Sequence, residues 1–251
     1  MLFQDFKRAL KKINCNSNDI ILVHADISKF EGKNWNKKCE KLKNFLINFF
    51  NKDSTLIFPA FTYSFCDTGI FKPKRSPSEV GIFDEYMRNQ KSFERTDHPI
   101  FSFACKGKHK NLFLNNSNSS TGSGSVFEKL YAFDAKILFL GCRFITSCTF
   151  LHFVEQKNTI LYRYSKNFFP KNKMKYAHYE YYVRSREKYK FYGYKKKTTI
   201  EKDLIREKIL KKISINKFEI SCCSARDVFC YVSKKIKKDP FYILSRKPDT
   251  I

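Results

Sequence analysis

Four apolar residues without interruption, Ile137 to Leu140, run straight into Gly141. A run that short reads as a buried strand rather than a helix. A strand that stops at a glycine delivers the chain to the edge of a sheet, which is where open α/β folds bind ligands. The segments upstream support a sheet. Phe3, Phe6, Leu10 and Ile13 recur at helical spacing, a polar turn follows, and Ile20 to Val23 is a short apolar strand. Cys39, Leu42, Leu46 and Phe49 then mark an amphipathic helix ending near Asn51, and Thr55 to Phe58 is a second strand. Helix, strand, helix, strand is an α/β pattern, and 251 residues suffice to bury a substantial core in one or two domains.

The remaining segments divide by their punctuation. Pro59 to Asp67 reads as a loop, and Ile82, Phe83, Tyr86 and Met87 as a short helix. Pro99 excludes His98 from helical geometry, so 95–99 is a turn feeding an alternating strand, Ile100 to Cys105. Ser125 and Glu128 have capping-box spacing, and the glycines just before them could cradle a phosphate or a carbonyl. From Leu161 to Lys197, twelve tyrosines and phenylalanines alternate with Lys and Arg. That tract fits paired antiparallel strands with one wet and one packed face, or a base-stacking surface for nucleic acid. With no RNA-binding signature beside it, strands are the expectation. Glu201 to Ile213 reads as a helix, and Ser224 to Lys238 as another, capped by Ser224, with Val228, Tyr231 and Val232 inward.

Charge narrows the partners. With 49 Lys and Arg against 24 Asp and Glu, the formal net charge is +25, a field that attracts nucleic acid, acidic membranes or phosphorylated small molecules. An A/T-rich coding background, visible in the abundance of Lys, Asn, Ile, Phe and Tyr, accounts for part of that excess. Nine cysteines include no Cys-x-x-Cys pair, which argues against a disulfide framework or a zinc ribbon and for a reducing cytoplasm. No apolar run approaches the ~18 residues of a membrane span. A cytoplasmic protein without membrane insertion is expected.

The stretch after Gly141 carries the chemistry. Thr149 can cap a helix, which would put His152 in the first turn, where the helix start disfavours imidazolium and keeps the ring neutral. Glu155, three residues on, shares that face and could orient the other ring nitrogen. A general base with an orienting carboxylate results, to be weighed against an inert core histidine among Phe150, Leu151, Phe153 and Val154. His98 is a second candidate beside a structural turn. Cys148 could form an acyl-enzyme, and a metal at His152 and Glu155 lacks a second ligand pair.

The segments together resemble the aminoglycoside 3-N-acetyltransferase family. In order they are Val23-His24; Pro59-Ala60-Phe61-Thr62; Ser76-Pro77-Ser78 with Gly81; Arg95 and His98-Pro99; Ser102-Phe103-Ala104 with Gly107; Gly122, Gly124 and Ser125; Leu138-Phe139-Leu140-Gly141; and Thr149, His152 and Glu155. The resemblance covers residues 20–160 well, and the last helix more loosely. It implies one acyltransferase domain over 1–251; the tract 161–197 has no counterpart in the family, and as a variable segment it is expected to be a strand-rich acceptor-binding subregion. The implied fold is α/β with a mainly antiparallel central sheet flanked by helices, distinct from the small acetyltransferase fold. It also implies transfer from acyl-coenzyme A to an amine, with His152 as base, Glu155 orienting it and no metal.

Candidate coenzyme contacts are Asp26, Ser28, Lys29 and Gly32 in the loop after the first strand, Arg75, and Ser123 and Ser125. The chain departs from the family at Ala25-Asp26, where two serines are usual, and at Val126, where proline is common. The excess of positive charge points to a nucleotide-linked amino sugar as acceptor, with an aminoglycoside antibiotic as the alternative. Nucleic acid is not an expected partner, and a homodimer stays open.

Overall fold

The computed structural model describes residues 2–185, 189–190, 199–245, 247 and 249–250. Its strands are β1 (Ile20–Ala25), β2 (Thr55–Pro59), β3 (Glu94–Arg95), β4 (Phe103–Gly107), β5 (Lys136–Leu140), β6 (Arg163–Phe168), β7 (Tyr179–Arg184), β8 (Tyr189–Lys190), β9 (Lys211–Ile215), β10 (Phe218–Ser224) and β11 (Asp249–Thr250). Seven of them form one sheet in the order β3-β4-β2-β1-β5-β10-β9. At its centre β1 runs parallel to both β2 and β5, while β4, β3, β10 and β9 add antiparallel flanks.

The sheet is therefore mixed, which corrects the expectation of a mainly antiparallel one. The reason lies in the connections. Parallel neighbours need a long crossover, and the helix Trp35–Phe49 supplies it between β1 and β2.

Alternation along the strands sends successive side chains into two different cores. Ile21 and Val23 of β1, with Leu138 and Leu140 of β5, pack against Phe6, Leu10, Leu42, Leu46 and Met87 from the helices Phe3–Lys12, Trp35–Phe49 and Ile82–Arg88. Leu22, Ile137 and Phe139 point the other way, onto Phe127, Leu130, Val154, Val228 and Val232 from the helices Val126–Ala132, Leu151–Lys157 and Ala225–Lys238. The result is three layers, helix, sheet, helix. Because β5 is covered on both faces, its apolar run needs no polar position.

Two expected elements differ. The helix from 201 stops at Arg206, and β9 follows, because Lys208 adopts a positive φ of 59° that no continuing helix allows. Asn216, at φ 54°, then turns the chain between Ile215 and Phe218, so β9 and β10 form a hairpin with a two-residue turn. The strand expected from Ile100 begins instead at Phe103, because Ile100 and Phe101 complete a turn.

In the aromatic tract β6 pairs antiparallel with β7, as the strand reading requires. Tyr162, Tyr179 and Tyr182 are buried in this hairpin, so those rings are not offered to bases. Residues 186–188 and 191–198 of the tract lie outside the described residues. Among the described residues no helix is long and apolar enough to cross a membrane.

One glycine fixes the end of the parallel centre. Gly141 has φ +72°, and a Cβ there would lie 2.1 Å from the Asp26 carbonyl oxygen. This close approach lets Asp26 N–H donate to Leu140 O at 2.8 Å and Gly141 N–H donate to Glu219 O at 2.7 Å. Gly141→Ala is expected to lower the free energy of urea unfolding by ~2 kcal/mol or more, since it combines strained dihedrals with a backbone clash. An unchanged unfolding midpoint would show that the loop relaxes freely.

Candidate active site

His152 sits in the first turn of the helix Leu151–Lys157, as the spacing suggests, but Thr149 does not cap it. The amides of Leu151, His152 and Phe153 are already taken by the carbonyls of Cys148, Thr149 and Phe150, three residues back, which leaves the hydroxyl no N–H to accept from. The Thr149 Oγ1 is buried and has no hydrogen-bond partner among the described residues.

The ring of His152 has its Nδ1 3.0 Å from Glu155 Oε2 and 3.1 Å from Arg163 Nη2. Glu155 is fully buried. Its Oε1 accepts from the Tyr162 hydroxyl at 2.9 Å, and its Oε2 lies 2.8 Å from Arg163 Nε, an ion-pair contact outside hydrogen-bond geometry. Arg163 also donates through Nη1 to Tyr182 O at 2.9 Å. The cluster joins the helix of His152 to the β6–β7 hairpin.

Burial raises the Glu155 pKa, but Arg163, His152 and Tyr162 outweigh it and hold the carboxyl below its usual range. His152 moves the other way from an exposed histidine. Burial first, and then the Arg163 guanidinium, lower its pKa to about 4, against the opposing pull of Glu155. At neutral pH the group is a neutral imidazole beside a charged carboxylate. Its side chain keeps 15% exposure, through a recess of about 70 Å³ formed with Ile145, Thr146, Ser147, Cys148, Thr149 and Leu151.

That recess shares Thr146, Ser147 and Thr149 with a much larger cleft of about 680 Å³. The cleft opens where β1, β2 and β5 end, because parallel strands bring their carboxyl ends to one edge. Two of its walls carry buried polar atoms, His24 Nε2 and Asp84 Oδ1, that have no hydrogen-bond partner among the described residues. Burial lowers the His24 pKa to about 3, which keeps the imidazole neutral, and raises that of Asp84, because it disfavours the charged carboxylate. A Cβ at Gly81 would meet Asp84 Oδ2 at 2.6 Å, so glycine admits this carboxyl.

The expected site residues separate on these walls. Asp26 and Lys29 line the cleft, while Ser28, Gly32 and Arg75 do not. Asp26 Oδ1 accepts from Ser28 N–H at 2.9 Å, so Ser28 shapes the loop. Gly32 packs against Lys38, and Arg75 is exposed. Ser123 and Ser125 are also absent from the lining. Ser125 Oγ accepts from Glu128 N–H at 3.2 Å and caps the helix after it, while Glu128 reaches back to Gly124 N–H at 2.7 Å. The glycine loop is thus closed on itself, which corrects the expectation that its amides serve a ligand in this cleft.

His98 lies outside the cleft too. Its Nδ1 accepts from Phe101 N–H at 3.2 Å, which leaves Nε2–H to donate to Asn118 O at 3.2 Å. Both nitrogens are committed to backbone, and His98 closes the turn. His24, Asp84, Arg143 and Arg163 were missed by the sequence reading. A signal existed for His24, at the end of a parallel strand, whereas nothing in spacing marks Asp84 or Arg163.

The sequence model of the aminoglycoside 3-N-acetyltransferase family matches residues 22–237. A prophage-derived aminoglycoside N(3′)-acetyltransferase-like protein, YokD of Bacillus subtilis, is 25% identical over 179 residues, 61% of this chain and 64% of YokD. The chain therefore spans less than two thirds of that relative's length. The crystal structure of a mutant aminoglycoside acetyltransferase AAC(3)-IVa in complex with gentamicin superposes with a TM-score of 0.81 at 16% identity, covering 96% of this chain and 90% of that one. AAC-IIIb as a binary complex with CoASH gives 0.76 at 18% identity, covering 99% of each. At these identities the likeness is one of fold.

The chain belongs to the aminoglycoside 3-N-acetyltransferase family.

The buried histidines make stability depend on pH. In the unfolded chain an imidazole titrates near 6.5. Folded, His24, His98 and His152 titrate at about 3, 4 and 4. Between those limits the unfolded chain binds protons that the folded chain refuses, so stability present above pH ~6.5 is lost as the pH falls. Urea unfolding is expected to weaken between pH 6.5 and 4.5 with a slope of up to ~1.4 kcal/mol per unit for each histidine. A flat profile over that range would contradict neutral burial.

Proposed function

We propose that this protein transfers an acyl group from acyl-coenzyme A to the amine of an amino sugar, with His152 as general base. The observation that carries the reading is the neutral, Glu155-held imidazole in a recess that shares a wall with the large cleft. Direct transfer requires a neutral amine nitrogen to attack the thioester carbonyl carbon. As the C–S bond breaks, coenzyme A leaves as its thiolate, and the proton of the amine passes to His152 and then to that thiolate.

A neutral ring can give Nδ1 a proton or a lone pair, not both. Arg163 already has Glu155 Oε2 and Tyr182 O as partners, so the Nδ1 proton is assigned to Glu155 and Nε2 takes the proton from the amine. Thr149, with its unpartnered buried hydroxyl on the shared wall, supports a donor role toward the oxyanion.

For the acceptor, family membership favours an aminoglycoside-type amine. A nucleotide-linked amino sugar is the second reading, favoured by the net charge of +25 and by Arg163 and Arg184 in the electrostatic surroundings of His152. The β6–β7 hairpin, which supplies Arg163, is the proposed acceptor side. An enzyme drawing on acyl-coenzyme A would work in the cytoplasm.

Thiol release from acetyl-coenzyme A across aminoglycosides and nucleotide amino sugars tests the reading. His152→Ala is expected to keep the wild-type circular dichroism spectrum and to lose ~10²- to 10⁴-fold in kcat. Full turnover by the variant sinks the assignment of the base, and turnover of nucleotide sugars alone reverses the acceptor order.

Burial pushes the Cys148 thiol well above its usual range, which withholds the thiolate that an acyl-enzyme needs. Cys148→Ala is accordingly expected to keep kcat within about two-fold, where a covalent relay would lose orders of magnitude.

A further inference from the structure

The ion pair of Glu155 and Arg163 is one attachment of the β6–β7 hairpin to the helix of His152, and a second lies one residue along that helix. Gln156 Nε2 donates to Glu180 Oε1 at 2.9 Å. Glu180 stands on β7 opposite Asn167, towards the end of the hairpin where Phe168 pairs with Tyr179, whereas Arg163 pairs with Arg184 at the other end. The helix therefore holds both strands, at two different heights. Glu180 is itself fixed from a third direction. Its Oε1 also accepts from Ser119 Oγ at 2.9 Å, Ser120 N–H donates to Glu180 O at 3.0 Å, and Glu180 N–H donates to Asn118 O at 2.8 Å. Thr121 Oγ1 donates to Gln156 Oε1, and Ser119 Oγ accepts from Gly122 N–H at 2.9 Å, which closes the network.

A hairpin held at one point can turn about it, and a guanidinium, a carboxylate and an imidazole that meet at hydrogen-bond distance tolerate little rotation. A second attachment, from the other strand, fixes the angle. We propose that Gln156 and Glu180 are positioning residues of the transferase: their hydrogen bond sets the hairpin so that Arg163 stays on Glu155 and against His152. This rests on the reading of His152 as base. Among the described residues, the titratable groups around the His152–Glu155 pair are Tyr162, Arg163 of β6, Tyr181 and Arg184 of β7, and Cys148 in the wall of the recess. Burial of the ring and the guanidinium beside it both disfavour imidazolium, so a hairpin that swings away raises the His152 pKa from about 4 towards 6.5.

NMR of the full chain with labelled histidine reads the ring directly, His152 being the signal that His152→Ala removes. Wild-type His152 is expected to stay neutral down to pH ~5. Glu180→Ala and Gln156→Ala are expected to raise its titration midpoint by about one unit or more, and the acid limb of kcat with it. Gln156→Ala is the milder of the two, since it leaves the Ser119 bond to Glu180 in place. The double variant should go no further than Glu180→Ala, because the two substitutions remove the same bond. Glu180→Gln, whose amide oxygen can accept both hydrogen bonds, should titrate as wild type. A midpoint that Glu180→Ala and Gln156→Ala leave in place, even where they lower stability to urea, overturns the positioning role and leaves the base standing. A midpoint that moves while the acid limb of kcat does not overturns the base reading, and the positioning role with it.

Discussion

Glu155 is a carboxylate with no exposed surface, and a charge in that position has to be answered by other charges and donors. Arg163, Tyr162 and His152 answer it, and they come from two pieces of chain that the sheet does not join. Arg163 opens β6, so the hairpin is tied to the helix of His152 by an ion pair that neither partner can leave without stranding the other. That requirement aligns the imidazole, and burial, together with the guanidinium that satisfies the carboxylate, keeps it neutral. The reactivity and the packing of the hairpin are therefore one electrostatic problem with one solution.

The other half of the site depends on the parallel strands. β2, β1 and β5 end at one edge, and the loops leaving them supply Pro59, Asp26 and Cys142 to the same cleft. The antiparallel flanks widen the sheet without reaching this cleft through their strands. The parallel centre thus gathers these loops into a cleft beside the buried His152.

Much of this was legible in the sequence where a local rule governs. The apolar run of β5, the caps at Ser125 and Ser224, and the three-residue step from His152 to Glu155 all depend on neighbours in the chain, and all appear as written. What escaped is set by distant partners. Thr149 looks like a cap, but the amides of Leu151, His152 and Phe153 are bonded to carbonyls three residues back. Lys211 to Ile213 looks helical until the turn at Asn216 pairs β9 with β10. Ser123 and Ser125 look like ligand donors because a glycine loop before a helix often is one, but Glu128 closes this loop. Arg163 sits in a basic tract where it resembles any other charge, and only the meeting of β6 with the helix Leu151–Lys157 sets it apart.

His24 and Asp84 extend the same argument to the cleft. A buried imidazole nitrogen and a buried carboxyl oxygen without partners each leave a hydrogen-bonding group unsatisfied, which destabilises the folded chain. Apolar side chains at these two positions would remove that cost. Both groups line the cleft, where a ligand with donors and acceptors would find hydrogen-bonding partners. Polar groups held at this edge favour, among molecules that enter the cleft, those whose donors and acceptors match them.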